Sequence, residues 1–138
     1  AKLNEVEKAI PQDDPRRVQV LLVKSQANLL NDKLETLEVD LNNVVALSVE
    51  NYIRGKALNL LGDYYLKKNK PTDAFWEFLK VDTIYNQDVD EHAKALYNLS
   101  ILFDKVRNDP IRSRQATDKL LESTYSKTEY QKKVSSDK

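Results

Sequence analysis

The sequence contains no cysteine, and it has only two glycines and one histidine. The absence of cysteine excludes disulfides, thiol nucleophiles and thiolate metal sites. With His92 as the single histidine, a metal site built from paired histidines is also excluded. Gly55 and Gly62 are isolated from each other, so the sequence has no glycine-rich phosphate-binding loop. The residues therefore predict a protein that is not an enzyme and that needs no cofactor and no metal.

The chain also lacks an excess of charge of either sign, because 22 Lys and Arg residues are matched by 22 Asp and Glu residues. A net charge of zero gives no overall attraction for nucleic acid or for an anionic membrane. No apolar run approaches the roughly 20 residues that span a bilayer, and the first ten residues lack the hydrophobic block of a secretory signal. We therefore expect no nucleic-acid partner and no membrane insertion.

The scarcity of glycine and proline, together with the near absence of alternating polarity, predicts an all-α fold. A chain of 138 residues is one domain by length, and it can bury about two-thirds of the surface that it exposes when unfolded. We thus predict a single domain over 1–138. The chain begins with Ala1, and we expect it to be a processed form or a fragment of a longer chain.

Residues 55–88 carry the clearest pattern in the sequence. Leu61 and Gly62 are followed by Tyr65, and Ala74, Phe78 and Val81 recur with helical spacing in the second half of the stretch. Small side chains at Gly62 and Ala74 allow two consecutive helices to approach closely. Pro71 ends the first helix because proline disfavours helix in the residue before it. We predict a helical hairpin over about 49–86.

This pattern resembles the tetratricopeptide repeat, although Leu58 stands where tryptophan is usual and the terminal proline is missing. The resemblance implies antiparallel helical hairpins stacked as a short right-handed solenoid that binds other proteins. Residues 55–133 are similar to bacterial exported helical-repeat proteins of mostly unassigned function, and this similarity favours an extracytoplasmic location over a cytoplasmic one. An unrelated helical bundle is the alternative interpretation of Gly62 and Ala74.

Two further hairpins are predicted on either side, over about 16–47 and 90–124. Asp14 and Pro15 form a cap signal for the first, and Ser48 is expected to cap the helix that follows it. The third hairpin has Ser100 in the place of Gly62, and we expect Ile111, Ala116, Leu120 and Leu121 to face inward. Short end helices are predicted over about 2–10 and 127–133, the latter capped by Ser126 and Glu129, with a disordered tail over 134–138.

Two side chains allow more than one interpretation. His92 lies in a predicted first helical turn, where we expect a solvent-exposed residue and, as the alternative, a contact with a partner. Trp76 falls opposite the stripe of Ala74, Phe78 and Val81, so it either packs on a neighbouring repeat or lies on the outer surface. Asp88 and Asp90 lack the spacing of a calcium loop and are better explained as helix caps.

In stacked helical repeats the first helix of each hairpin lines a concave groove. At 100° per residue, one side of the helices at 49–68 and 90–107 should lie opposite the core stripe and face this groove. The alternative is that this side is merely solvated. Leu60 and Ile101 lie on the same side, and Asn59 and Tyr97 lie at its margin. The predicted partner-binding residues are Lys56, Asn59, Asp63, Lys67, Lys94, Tyr97, Asn98 and Lys105.

The predicted function is a protein–protein interaction module that binds an extended or helical partner segment in this groove. Lysine and asparagine on successive helices resemble the arrangement by which some family members hold a terminal carboxylate, whereas Asp63 would repel one, so we expect a partner segment of mixed charge. The alternative is a structural segment of a longer solenoid, or a self-associating unit that forms a homo-oligomer.

Overall fold

The computed structural model describes residues 14–136. Within them the chain forms α-helices and one short 3-10 turn, with no strand, so the predicted all-α class is confirmed. The predicted end helix at 2–10 and residues 137–138 of the predicted tail lie outside the described residues. The helices are α1 (Pro15–Leu30), α2 (Leu37–Leu47), α3 (Asn51–Lys67), α4 (Pro71–Thr83), α5 (Val89–Arg107), α6 (Pro110–Leu120) and α7 (Glu129–Ser136), with the 3-10 turn at Ser123–Tyr125.

Aspartate side chains cap three of these helices at their N-termini. In each case a carboxylate oxygen accepts a hydrogen bond from a backbone N–H of the first turn, which has no partner within the helix. Proline occupies the start of α1, α4 and α6, where its missing N–H costs no helical hydrogen bond. The capping pairs are Asp14 with Arg16 at 2.9 Å, Asp88 with Glu91 at 2.9 Å and Asp109 with Arg112 at 3.0 Å.

The odd-numbered helices α1, α3 and α5 end in the same way. Asp32, Asn69 and Asn108 follow their C-termini in the left-handed conformation, with φ of 58°, 57° and 52°. Asp and Asn tolerate this conformation better than other residues with a side chain. Each hairpin turn is therefore set by a short polar residue rather than by glycine.

The helices pack in an ordered succession. Each one contacts the next along the chain from α1 to α7, and α1, α3, α5 and α7 also contact one another in a row. The most enclosed side chains, which are less than 3% exposed, include Leu61, Phe78, Val81, Leu96 and Leu99. The odd-numbered helices thus form a continuous layer, and α2, α4 and α6 lie against it.

Gly62 marks the closest approach of α3 to α4. A Cβ atom added at Gly62 would lie 2.4–2.7 Å from three ring atoms of Phe78, a separation that real Cβ atoms do not show. Ala74, which lies on α4 with Phe78, is fully buried. The predicted close contact is confirmed, and the aromatic ring of Phe78 fills the space that Gly62 leaves. At the corresponding place in the next hairpin, Ser113 donates a hydrogen bond through its Oγ to the carbonyl oxygen of Ser100.

Several predicted boundaries and orientations are wrong. Ser48 ends α2 instead of capping α3, because its Oγ accepts from the N–H of Glu50 in the connection and Glu50 becomes the N-terminal flanking residue. Ile111 is 70% exposed and does not face inward, whereas Ala116 and Leu120 are buried as predicted.

The last helix also differs from its prediction. α7 begins at Glu129 and continues to Ser136, so the predicted disorder over 134–136 is wrong. Its first turn is capped by Thr128, whose Oγ1 accepts from the N–H of Gln131 at 3.2 Å, and not by Ser126. Thr128 can serve as the cap because its hydroxyl also donates to the carbonyl of Tyr125 at 2.8 Å, which fixes the side chain in a buried position.

Candidate functional site

One cleft brings together side chains from all four odd-numbered helices. Its volume is about 200 Å³. Of the eight predicted partner-binding residues, Lys56 of α3 and Lys94 of α5 line it. We call it the central cleft, and its full lining is Gln26, Lys56, Leu60, Asp90, Glu91, Lys94, Glu129 and Tyr130.

Asn59 does not lie on an open face, and its predicted exposure is wrong. The side chain is fully buried, and its Nδ2 donates to the carbonyl oxygen of Glu91 at 2.9 Å and to the Oε1 of Glu91 at 2.8 Å. The Oδ1 atom of Asn59 has no hydrogen-bond partner among the described residues. Leu60, also predicted to lie opposite the core, is only 9% exposed. Both are buried because α1 and α5 pack against α3 from either side.

Lys94 and Asp63 form an ion pair that joins α5 to α3. The side chains are 17% and 30% exposed, so water screens the pair less than it screens a pair at the surface. Asp63 therefore neutralises Lys94 directly. Lys56, in contrast, makes no ion pair with any described residue, and it is the unpaired cation of the central cleft.

Tyr97 is covered by the chain's own α7. Its ring centroid lies 5.7 Å from that of Tyr130, and the Nζ of Lys133 lies 5.4 Å from the Tyr97 centroid and 5.1 Å from the Tyr130 centroid. Burial is the largest cause that raises the pKa of Tyr130, and the nearby carboxylates of Glu129 and Asp63 raise it further. The helix α7 thus closes one end of the predicted groove.

The remaining predicted residues do not reach the central cleft. Lys67 lies near Asp32, with 3.4 Å between Nζ and Oδ1, and both side chains are largely exposed. Asn98 donates from Nδ2 to the carbonyl of Lys94 one turn earlier, at 2.9 Å. Lys105 is exposed and lies outside the lining. The four lysines therefore do not assemble, and Asp63 neutralises one of the two that do meet.

Acidic side chains in the lining were missed by the sequence reasoning. Asp90 and Glu91 come from the first turn of α5, and Glu129 comes from the first turn of α7. The first turn of a helix favours acidic residues because its N–H groups carry partial positive charge. Their convergence has no local signal, since it depends on how α7 returns to α5.

His92 is 5% exposed, so its predicted exposure is wrong. Its Nε2 lies 2.6 Å from Oδ1 of Asp82, and its Nδ1 lies 2.8 Å from the hydroxyl of Tyr125. Both ring nitrogens are therefore engaged, one by the end of α4 and the other by the 3-10 turn. A signal for this burial exists in the sequence, because His92 precedes Leu96, Leu99 and Phe103 on the same helical stripe.

The described residues contain no group of histidine or acidic side chains that could hold a metal ion. None of the helices within them is long and apolar enough to cross a membrane. Comparison of the chain with protein-family models, with curated proteins and with solved structures gives no match. The interpretation of the central cleft therefore rests on its own geometry.

Proposed function

We propose that the protein is a non-catalytic interaction module of the tetratricopeptide-repeat type, which binds a segment of a protein partner in the central cleft. Support for the repeat comes from pairs of residues 38 positions apart, in which Leu58 and Leu96 are both buried and Gly62 corresponds to Ser100. The contacts among α1, α3, α5 and α7 are those expected when hairpins stack and their first helices face the same side.

The convergence of all four odd-numbered helices on one cleft is the observation that carries this proposal. The volume of about 200 Å³ is smaller than the roughly 300–1,000 Å³ of most small-molecule sites. A space of this size suits one or two side chains of a peptide. A pair of hydrogen bonds from Asn59 and the ion pair of Lys94 with Asp63 fix α3 against α5, so the wall is formed before a partner arrives.

The charges of the lining indicate which side chains a partner segment would carry. Lys56 offers a cation that forms no ion pair within residues 14–136, while Asp90 and Glu129 place acidic groups on the opposite helices, and Leu60 and Tyr130 add apolar surface. A segment with one basic and one acidic side chain around an apolar residue matches this arrangement. The small contact area implies an affinity in the micromolar range.

Peptide display followed by charge reversal tests the proposal. Random peptides are selected against the immobilised protein, and the enriched peptide is synthesised and titrated by fluorescence anisotropy. We expect the double variant Lys56→Glu with Asp90→Lys to weaken binding by about tenfold or more, because both reversals place like charges against the peptide.

A matched control keeps the same change in charge away from the cleft. Lys105→Glu with Glu35→Lys alters two exposed positions outside the lining and also leaves the net charge at zero. We expect this control to bind the peptide as the parent does. Equal affinity of the cleft variant and the parent, or the absence of any enriched peptide that binds the parent, would contradict the proposal.

A further inference from the structure

The side of the molecule formed by α4 and α6 carries a second groove, which shares no lining residue with the central cleft. On α5, Lys94 faces the central cleft and Phe103 faces this groove, because an offset of nine residues turns the helix by about half a circle at roughly 100° per residue. Two adjoining cavities of about 230 and 180 Å³ make up the groove, and both are lined by Phe103 and Arg112.

Basic side chains border this groove. Arg107 lies over the ring of Trp76 with 5.6 Å between the guanidinium carbon and the ring centroid. Arg112 lies 3.7 Å from a carboxylate oxygen of Asp109, and Lys119 borders the other cavity. Neither Arg107 nor Lys119 forms an ion pair within the part of the chain that the structure describes. We call this region the basic groove, formed by Trp76, Phe103, Arg107, Arg112 and Lys119.

The other flank of α4 is acidic. Tyr65 of α3 corresponds to Phe103 at a distance of 38 residues, and α2 and α4, which both pack against α3, bring carboxylates near it. Burial is the main cause that raises the pKa of Tyr65 to about 12, and Glu38, Glu77 and Asp73 raise it further. We call this surface region the acidic groove; its residues are Glu38, Tyr65, Asp73 and Glu77, of which Glu38 and Asp73 are exposed.

One lysine partly neutralises the negative charge of the acidic groove. Lys80 lies 3.3 Å from Glu77, whose side chain is only 14% exposed. Glu38 and Asp73 have no ion pair among the described residues. The acidic groove therefore keeps two negative charges without an ion-paired cation among the described residues. Two carboxylates also line the basic groove, but Asp109 lies beside Arg112 and Asp82 contacts Nε2 of His92, so the groove keeps the positive charges of Arg107 and Lys119.

Trp76 lies on α4, the helix that contributes to both grooves. It is 45% exposed and makes an edge-to-face contact with Phe75, with 5.1 Å between the ring centroids. Tryptophan and arginine are enriched among the residues that contribute most of the binding energy of protein interfaces, and here a half-exposed tryptophan lies beside an arginine. Trp76 thus adds apolar surface at the edge of the basic groove, on the helix that also carries Asp73 and Glu77 of the acidic groove.

We propose that this face binds the same face of a second copy of the chain around a two-fold axis at α4. In a two-fold interface each contact occurs twice, so a surface must be complementary to itself. Rotation about an axis at α4 places the basic groove of each copy against the acidic groove of the other, with the two Trp76 side chains at the centre. A single acidic peptide would match only the basic groove and would leave Glu38 and Asp73 without a partner.

Sedimentation velocity over a range of protein concentrations at low ionic strength measures the association. We expect a dimer that weakens as salt is added, because the matching charges lie at the rim of the interface. Trp76→Ala should weaken the dimer by about tenfold or more, since a central tryptophan is lost from both copies. A parent protein that stays monomeric at every concentration would refute the proposal.

A mixing experiment provides the sharper test. Arg107→Glu with Arg112→Glu makes both grooves acidic, and Glu38→Lys with Asp73→Lys makes both basic. Neither variant should dimerise alone, whereas an equimolar mixture should form a one-to-one heterodimer, because each copy then carries the charge that the other lacks. Thermal unfolding followed by circular dichroism verifies that each variant is folded. If the second variant does not fold, the uncharged replacements Glu38→Gln with Asp73→Asn take its place. This variant should dimerise more weakly than the parent does.

The cleft variant Lys56→Glu with Asp90→Lys is the matched control, since its two reversals lie on the opposite side of the odd-numbered layer. It should dimerise as the parent does. Equal weakening by this control, or a mixture of the two groove variants that remains monomeric, would refute the proposal. Binding of a glutamate-rich, tryptophan-containing peptide to a parent that stays monomeric would also refute it and would assign the basic groove to an acidic partner. Peptide binding in the central cleft is measured separately from dimerisation, so a negative result for one proposal does not imply a negative result for the other.

Discussion

Gly62 shows how a single missing side chain positions two helices. The ring of Phe78 occupies the space in which any other residue would place its Cβ atom. Phe78 is fully buried, and side chains in protein interiors are close-packed, so the ring can move aside only at a cost. The separation of α3 and α4 is therefore set at this one contact.

Replacing Gly62 by alanine should lower the free energy of unfolding by about 1–2 kcal/mol, measured by urea denaturation. Alanine gains about 1 kcal/mol in helix propensity, but overpacking a core costs about 1–3 kcal/mol, and the enclosed ring puts this site at the upper end. In a Phe78→Leu background the same substitution should cost less, because the smaller side chain removes the clash. Equal costs in the two backgrounds would contradict the close contact.

His92 shows the opposite case, in which a polar residue takes a core position. Asp82 and Tyr125 satisfy its two ring nitrogens, so burial does not leave a polar atom without a partner. The three residues belong to α4, α5 and the 3-10 turn. They connect the end of the second hairpin to the segment that leads into α7.

At the scale of elements, α7 depends on its neighbours. It has eight residues, which is too short for a helix that is stable in isolation. Its Gln131 donates from Nε2 to the carbonyl oxygens of Leu120 and Glu122, at 3.0 and 2.9 Å, and so satisfies acceptors at the end of α6. Tyr130 packs on Tyr97 of α5.

Removing both anchors should release α7 while the rest of the protein stays folded. In the double variant Tyr130→Ala with Gln131→Ala, we expect amide hydrogen exchange over residues 129–136 to accelerate by about tenfold or more, since each lost hydrogen bond contributes about 0.5–1.5 kcal/mol. Mass spectrometry measures the exchange. Lys132→Ala, an exposed position on the same helix, is the control and should change little. Unchanged protection in the double variant would show that other contacts hold α7.

At the scale of the whole molecule, balanced charge limits the partners. The net charge is zero, and the basic groove contributes only three cationic side chains beside the acidic groove. Counterion release, which drives nucleic-acid binding, grows with the number of phosphates that cations neutralise. We therefore expect association with partners to depend on individual ion pairs and not on an excess of positive or negative charge over the whole surface.

We accordingly expect negligible binding to duplex DNA and to anionic vesicles at physiological salt. Fluorescence anisotropy with a labelled duplex and co-sedimentation with vesicles measure the two interactions. The variant Glu38→Lys with Asp73→Lys, which has a net charge of +4, is the positive comparison and should bind more than the parent does. Salt-sensitive micromolar binding by the parent would contradict this expectation.

The sequence by itself determined the helices and most of their ends. Asp14 with Pro15 and Asp109 with Pro110 act within a few residues of the helix that they start, and such local interactions can be read directly from the chain. The close contact at Gly62 was also predictable, because a glycine on a buried helical stripe indicates a neighbouring helix at short distance.

Only the tertiary structure decided which faces of these helices are covered. By periodicity Leu60 lies opposite the stripe of Leu58 and Leu61 and Asn59 lies at the margin of that opposite side, yet α1 and α5 enclose both. Periodicity identifies a face that is apolar, but it does not reveal how many neighbours a helix has. The approach of Glu129 to Lys56 and Lys94 likewise depends on where α7 packs, and the contact of Tyr130 with Tyr97 that helps to fix this joins residues more than 30 positions apart. The sequence placed Lys56 and Lys94 on one face and did not reveal that Asp90, Glu91 and Glu129 join them, because the walls of the cleft are assembled from distant parts of the chain.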